Sequence, residues 1–355
     1  MLVITAGVKA QESFYQDVTT WSMGESKVQS PKSKVEASTS QPLFFPSWDI
    51  LPHEPKLPHV DVISERLETL VNLSKVQDPK PKGKAKKTSA SQLIVANVVA
   101  LMQRTFAPGM IAARTRTLRR GETIDPLDLV EWLEDEGYEP EAQVNAKGEL
   151  ALRGGILDIF PPTCPWPLRL EFFGDELESI REFDPSTQLS KEPVESVTIP
   201  PAGELGILRR LLGAKSPTPP PLATLLDHLP DNTLVVICDP EAVAQGAADY
   251  AIQVPPSDPF FVSWEELQNA MTARGLVTTE LGEFTEVLES DDESATAEQL
   301  QFQSLDAFRP IAERAVDLAI AEAQRREFFA QLHRWLRQGR AVHVFCNTLG
   351  EQQRF

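Results

Sequence analysis

Short apolar runs alternate with segments of helical periodicity through the first 120 residues of the chain. Residues 2–5, 43–46 and 93–96 are continuous apolar runs of the length of a buried strand. A helix is predicted from about Gln11, and another over residues 64–70. Alternation of buried strands with helices is typical of an α/β domain. We therefore expect residues 1–120 to form the first part of an α/β domain.

A second, strand-rich unit is predicted over residues 121–213. It begins with Asp125 and Pro126, a pair typical of a helix N-terminus, followed by apolar residues at helical spacing. A run of strands then extends from residue 149 to about residue 199. This pattern predicts a small α+β domain inserted into the α/β domain.

Residues 168–173 show the strict alternation of a half-buried strand. Leu168, Leu170 and Phe172 should face the core of the insertion, and Arg169, Glu171 and Phe173 should face outward. The following Gly174 and Asp175 predict a hairpin turn into the next strand.

Gly154 and Gly155 interrupt the preceding apolar run. We interpret the pair as a β-bulge inside one strand, because a bulge shifts the phase of alternation by one residue. With that shift, Arg153 lies on the outer face together with Arg169 and Phe173. The buried face then carries Leu150, Leu152, Leu157 and Ile159.

The rest of the chain returns to the α/β pattern. Residues 216–221 are a proline-rich linker, residues 222–229 predict a helix and residues 234–239 a buried strand. The second part of the α/β domain is therefore placed at residues 214–300, and it ends in the acidic stretch 286–298.

Residues 301–355 are predicted to begin a further α/β unit. A helix is expected over residues 311–336, with Gly339 as its stop signal and a strand at residues 341–346. Because the chain stops where the next helix should follow, and because no element precedes the first strand, we expect a piece of a longer protein.

Composition favours a protein partner over nucleic acid. The net charge is −18, whereas binding to DNA depends largely on Lys and Arg that neutralise phosphates. The basic residues include six lysines within residues 75–91, a segment whose polar composition predicts a disordered insertion. Three distant cysteines and the lack of a long apolar run predict a cytoplasmic protein without disulfides, metal or membrane span.

Motifs of nucleotide chemistry are missing from the sequence. A P-loop requires two glycines and a lysine at fixed spacing to hold phosphates, and no segment has that pattern. No glycine-rich dinucleotide motif follows a strand, and the five histidines have no nucleophile or carboxylate at motif spacing. The sequence therefore predicts neither a catalytic site nor a cofactor.

Arg153, Arg169 and Phe173 are the candidate binding residues. Arginine and aromatic side chains dominate protein interfaces, and a guanidinium pairs with carboxylates through a planar fork. By residue type alone, the alternative is that Arg169 forms an ordinary surface ion pair and that Phe173 turns inward.

Two long strings of the inserted unit closely resemble the UvrA-interaction domain shared by UvrB and the bacterial transcription-repair coupling factors (Mfd). These are residues 153–162, RGGILDIFPP, and residues 169–176, RLEFFGDE. Residues 43–55, LFFPSWDILPHEP, and 63–67, ISERL, are similar to the first domain of the coupling factors. UvrB is the less similar match, since it should carry a working P-loop.

The resemblance implies an N-terminal, UvrB-like module with a degenerate RecA/helicase-like α/β fold. In that family the insertion contacts UvrA through outward arginines and an aromatic residue, and the matching positions here are Arg153, Arg169 and Phe173. It implies UvrA as the partner, whereas RNA polymerase and DNA are bound by other domains of the family. The expected role is UvrA recruitment in nucleotide-excision repair without enzymatic activity.

Two alternatives stay open at this point. The chain could be a stand-alone regulator that competes with UvrB for UvrA, or a nucleotide-binding fragment that retains ATPase activity. Motor motifs encoded downstream of this sequence would distinguish a fragment from a regulator, and a nucleotide-binding assay would test the ATPase.

Overall fold

A computed structural model describes residues 1–25, 41–77, 92–213, 221–282, 318–340 and 342. Residues 1–282 form one compact unit and residues 283–355 a second one. Most of the predicted lysine-rich insertion, the linker at residues 216–220, the acidic stretch and the predicted strand at residues 341–346 lie outside the described residues.

The described residues contain nine α-helices and one short 3₁₀ helix, Leu225–His228. The α-helices are α1 Val8–Glu25, α2 Val60–Gln77, α3 Val98–Leu101, α4 Met110–Ala113, α5 Pro126–Asp135, α6 Leu205–Gly213, α7 Pro240–Gln253, α8 Trp264–Ala273 and α9 Leu318–Arg337.

Fifteen strands are found in the same parts of the chain. They are β1 Leu2–Thr5, β2 Leu43–Phe45, β3 Ile94–Asn97, β4 Thr105–Phe106, β5 Arg116–Arg119, β6 Glu139–Pro140, β7 Glu149–Arg153, β8 Ile156–Ile159, β9 Leu168–Phe173, β10 Glu176–Phe183, β11 Ser190–Pro193, β12 Ser196–Ile199, β13 Leu222–Ala223, β14 Leu234–Cys238 and β15 Val277–Leu281.

A five-stranded parallel sheet organises the α/β part of the first unit. Its order is β15-β14-β1-β3-β2, so that strands from both ends of the unit share one sheet. The central β1 pairs with β14 and with β3, and every residue of β1 and β3 is buried. The predicted buried strands at residues 2–5, 43–46, 93–96 and 234–239 are therefore confirmed, and so is the mixed α/β fold class.

The chain forms a six-stranded sheet in the segment that runs from β3 to β14. Its order is β11-β10-β9-β8-β7-β6, and it is antiparallel except for the β6–β7 pair. Helix α5 begins at the Asp125 cap, as predicted, and packs Leu129 and Leu133 into the apolar core of this sheet. The strands contribute Leu150, Leu157, Leu170 and Ile180, among others, to this core.

The interpretation of Gly154 and Gly155 as a bulge is wrong. The two glycines form the turn of a hairpin between β7 and β8, in which Arg153 pairs with Ile156. Gly154 has a φ of +63°, a backbone conformation that favours glycine. A hairpin turn also changes the phase of alternation, so the predicted buried face, with Leu150 and Ile159 paired across it, was nevertheless correct.

Two predicted helices differ from the structure, and the end of a third is confirmed. The helix predicted at residues 222–229 is instead the short strand β13 followed by the 3₁₀ helix, because its apolar residues fill the core of the α/β part. Helix α2 runs to Gln77 and so includes the first residues assigned to the disordered insertion. Helix α9 ends at Arg337, and Gly339, with a φ of +73°, follows it as predicted.

A buried ion pair between Arg66 of α2 and Glu204, just before α6, crosses the core of the α/β part. The guanidinium donates from Nε to Oε2 at 2.7 Å and from Nη2 to Oε1 at 3.0 Å, and both side chains are fully buried. The carboxylate also accepts from Trp48 Nε1 and from Thr105 Oγ1. The guanidinium lies over the rings of Phe45 and Trp48. Each charge is therefore compensated from several sides.

The backbone turns at residues 136–137 and 202–203 contact each other where the chain enters and leaves the six-stranded sheet. The carbonyl of Glu136 accepts from the backbone N–H groups of Ala202 and Gly203 at 2.8 and 3.0 Å. Gly137 has a φ of +89°, and a Cβ there would lie 2.6 Å from the nitrogen of Gly203. A side chain at Gly137 is thus excluded by both conformation and space.

Glu204→Ala should lower the free energy of unfolding by about 3–5 kcal/mol, because Arg66 would keep a buried charge without its partner. Denaturant unfolding at neutral pH measures the loss. The matched control is Asp135→Asn, which breaks the exposed Arg210–Asp135 pair at 3.8 Å. That control should cost less than about 1 kcal/mol. Equal losses in the two variants would contradict a structural role for the buried pair.

Acidification should destabilise the fold through His228. Its ring is buried, with Nε2 2.7 Å from the carbonyl oxygen of Phe106, and burial lowers its pKa. Below the ordinary value of about 6.5 the unfolded chain therefore binds a proton that the folded chain does not, so stability falls with falling pH by up to about 1.4 kcal/mol per unit. Unfolding at pH 7 and 5.5 should show a weaker pH dependence for His228→Gln. An unchanged dependence would refute this.

Candidate protein-docking site

One end of the six-stranded sheet brings two hairpin turns side by side. The turn Gly154–Gly155 connects β7 to β8, and the turn at Gly174 and Asp175 connects β9 to β10. Phe172 N donates to Gly155 O at 2.7 Å, and a Cβ on Gly155 would lie 2.8 Å from the carbonyl oxygen of Phe172. Glycine at residue 155 therefore allows the two hairpins to approach closely.

Strand register places the candidate residues on one face at this end. Arg153 pairs with Ile156, and Asp158 pairs with Arg169 on the neighbouring strand. Directly paired residues share a face, as do residues two apart along a strand. Together with Phe173 and with Glu171, which pairs with Ile156, these four side chains form what we call the outer face.

Exposure differs strongly among the three predicted binding residues. Phe173 is 80% exposed, and the side chain of Arg153 is 50% exposed. The side chain of Arg169 is only 16% exposed. The expectation of an open position is therefore confirmed for Arg153 and Phe173 and is wrong for Arg169, which lies on the predicted face but is largely covered.

Asp158 explains why Arg169 is covered. This carboxylate is fully buried and accepts two hydrogen bonds from Arg169, from Nε to Oδ1 at 2.7 Å and from Nη2 to Oδ2 at 2.8 Å. Its Oδ2 also accepts from Nη2 of Arg153 at 2.8 Å. One buried carboxylate thus accepts hydrogen bonds from both arginines among the three candidate residues.

Arg169 makes further contacts within the domain. Its guanidinium lies 4.6 Å from the ring centre of Phe183, and its Nη1 donates to the carbonyl of Gln188 at 3.4 Å. Gln188 has a φ of +59°, which is uncommon for a residue with a side chain. Hydrogen bonding to Asp158 raises the pKa of Arg169, so this arginine is a permanently charged link between β8, β9 and the loop before β11.

Sequence reasoning missed Asp158, although a signal was present. Asp158 stands between Leu157 and Ile159 in a strand that is otherwise apolar. A carboxylate in the middle of a buried strand requires hydrogen-bond donors, preferably cationic ones. Its alternation with the buried Leu157 and Ile159 also places it on the face of the two arginines.

The C-terminal ends of β2 and β3, where ligands bind in many α/β proteins, are filled by side chains. Gln11 Nε2 donates to the carbonyls of Phe45 and Val95 at 2.9 and 3.0 Å, and Asn97 Nδ2 donates to Gln11 Oε1 at 2.6 Å. Asn97 also caps α3. The donors and acceptors at this edge are therefore used within the protein.

The described residues show neither a metal-ion site nor a membrane-spanning helix. They contain no group of three or more His, Cys, Asp or Glu side chains that could hold a metal ion. Across the same parts of the chain, no helix has the length and apolar character needed to cross a bilayer.

Comparison with known proteins identifies the domain that carries the outer face. Residues 117–205 match the UvrB interaction domain family. The chain is 34% identical over 171 residues to the transcription-repair-coupling factor of Haemophilus influenzae, which is 48% of this chain and 14% of that protein. It is 34% identical over 157 residues to the factor of Escherichia coli, which is 44% of this chain and 12% of that protein.

A longer match extends to the coupling factor of Mycobacterium bovis. It is 30% identical over 248 residues, with 58% of this chain and 19% of that protein covered. The chain thus spans less than a fifth of the length of these relatives. Residues 117–205 are thus similar to the UvrB interaction domain, and about half of the chain is similar to a part of the transcription-repair-coupling factors.

Proposed function

We propose that this chain recruits UvrA in transcription-coupled nucleotide-excision repair, acting as a docking module and without catalysis of its own. The observation that carries the proposal is the outer face itself. Within a UvrB interaction domain, it presents a half-exposed arginine and an almost fully exposed phenylalanine at one rigid end of a sheet.

The chemistry of Phe173 and Arg153 supports this function. Exposing a large aromatic ring to water is unfavourable, and such residues are enriched at the centres of protein interfaces. A half-exposed guanidinium beside it can pair with a carboxylate of the partner. Ile156, which is 37% exposed and pairs with Arg153, adds apolar surface beside this arginine.

For the architecture, we propose a degenerate RecA/helicase-like domain of the UvrB type, interrupted by the UvrA-interaction domain at residues 121–213. Two observations support it. The parallel sheet contains strands that precede the six-stranded sheet along the chain and strands that follow it. The match to the UvrB interaction domain, at residues 117–205, falls between these two groups in the sequence. The further unit at residues 301–355 remains part of the same proposal.

Only the recruitment step is assigned to these residues. We propose that contacts with RNA polymerase and translocation on DNA belong to other parts of the coupling factors, since this chain matches 12–19% of their length. A net charge of −18 also disfavours the binding of bulk DNA by this chain.

Arg153→Ala and Phe173→Ala should each weaken binding to purified UvrA by about 1–3 kcal/mol, the range for interface anchors. Phe173 is almost fully exposed, so Phe173→Ala should change the free energy of unfolding by no more than about 0.5 kcal/mol. Arg153→Ala also removes a hydrogen bond to the buried carboxylate of Asp158, so it should lower that free energy by about 1–2 kcal/mol. Isothermal titration of UvrA into each variant, with thermal melts in parallel, measures the two quantities.

Two exposed residues away from the outer face provide matched controls for this experiment. Ile252→Ala removes an apolar side chain that is 84% exposed on α7, and Arg119→Ala removes an exposed arginine of β5. Neither should change UvrA binding. Phe172→Ala should instead lower the melting temperature, because Phe172 packs against the core of the sheet. Normal UvrA binding by both outer-face variants would exclude this surface.

The chain should show no saturable binding of ATP at micromolar concentrations. The sequence has no loop with P-loop spacing, and Gln11 and Asn97 occupy the ends of β2 and β3. Calorimetric titration with ATP and Mg²⁺ tests this, with a P-loop ATPase as the positive control. Micromolar binding would favour the alternative of a nucleotide-binding fragment.

A further inference from the structure

We infer that Asp158 is a positioning residue for the UvrA contact, and that Arg169 supports this contact through its bonds to Asp158. In this arrangement Asp158 fixes the guanidinium of Arg153, which makes the contact together with Phe173. The inference rests on the proposed function and divides the roles of three residues that sequence reasoning treated as equivalent.

Arg169 has few donors to offer a partner. Its Nε and Nη2 donate to Asp158, while Nη1 and Nη2 reach the carbonyl and the side-chain oxygen of Gln188 at 3.4 Å. The ring of Phe183 lies against the guanidinium, and 16% of the side chain is exposed. A partner would have to displace these contacts to bind Arg169 directly.

Arg153 is arranged differently. It donates from Nη2 to Asp158, and a guanidinium carries further N–H donors in the same plane. Because its side chain is half exposed, those donors can meet a carboxylate of UvrA. The bond to Asp158 restricts the rotamers of Arg153 before binding, which reduces the entropy lost when the complex forms.

The charges of Asp158, Arg153 and Arg169 support the roles assigned to these three residues. Asp158 is shared by two arginines, so Asp158, Arg153 and Arg169 together carry one positive charge, and Arg153 is the most exposed of the three. Without the carboxylate, the two guanidinium groups would repel each other, and Arg153 would move away into water. UvrA would then bind a disordered arginine.

A double-mutant cycle with purified UvrA tests the inference. Asp158→Asn should weaken binding about tenfold in the wild-type background and about tenfold in Phe173→Ala, but less than about threefold in Arg153→Ala. Asp158 can act through Arg153 only where Arg153 is present. Equal losses in all three backgrounds would show a general structural effect and would overturn the inference.

A second variant decides the matter even if Asp158→Asn fails to fold. Arg153→Lys changes a half-exposed side chain and keeps its charge, but a single ammonium cannot bond to Asp158 and to UvrA with the geometry of a planar fork. It should weaken binding at least about fivefold. Binding within about twofold of wild type would mean that Arg153 acts as a simple point charge, and the inference would fall.

These outcomes separate the inference from the proposed function. If Arg153→Ala and Phe173→Ala bind UvrA normally, the proposed function fails, and the inference fails with it. If both variants lose binding while folded Asp158→Asn binds like wild type, the docking surface is correct and only the role of Asp158 is overturned.

Discussion

The ion pair between Arg66 and Glu204 is the contact on which the placement of the six-stranded sheet depends. Arg66 belongs to α2 of the α/β part, whereas Glu204 lies where the chain returns from β12 toward α6. Neither charge reaches water, so any displacement of one chain segment leaves the other charge uncompensated. The nearby contact of Gly137 with Gly203 fixes the same return point sterically. Electrostatics and close packing thus hold the segment by which the chain leaves the strand-rich unit.

The outer face repeats this principle on a smaller scale, with a different result. Asp158 is as buried as Glu204, but it is shared between a covered arginine and a half-exposed one. The covered Arg169 supplies most of the compensation through its paired hydrogen bonds. Arg153 therefore remains oriented while keeping donors for a partner. A buried carboxylate can thus orient an exposed arginine for binding, provided that a second arginine compensates most of the negative charge of the carboxylate.

The features that the sequence predicted correctly were local ones, which depend only on neighbouring residues. The alternation at residues 168–173 and the Asp125 cap need only adjacent positions, and the structure confirms both. The bulge at Gly154 and Gly155 was wrong because two glycines in an apolar run suit a bulge or a hairpin equally, and the pairing partner decides. The pair Arg66–Glu204 joins residues 138 positions apart, and no local pattern indicates it.

The covered position of Arg169 bears on how binding data for this surface are interpreted. Removing Arg169 would leave Asp158 buried with one exposed partner, so stability and the orientation of Arg153 would change together. A loss of partner binding on substitution of Arg169 therefore does not identify Arg169 as a contact. Exposed residues whose removal leaves the fold intact carry that information, and on the outer face these are Arg153 and Phe173. Burial, and not residue type, decides which substitutions on this face can report on a contact with a partner.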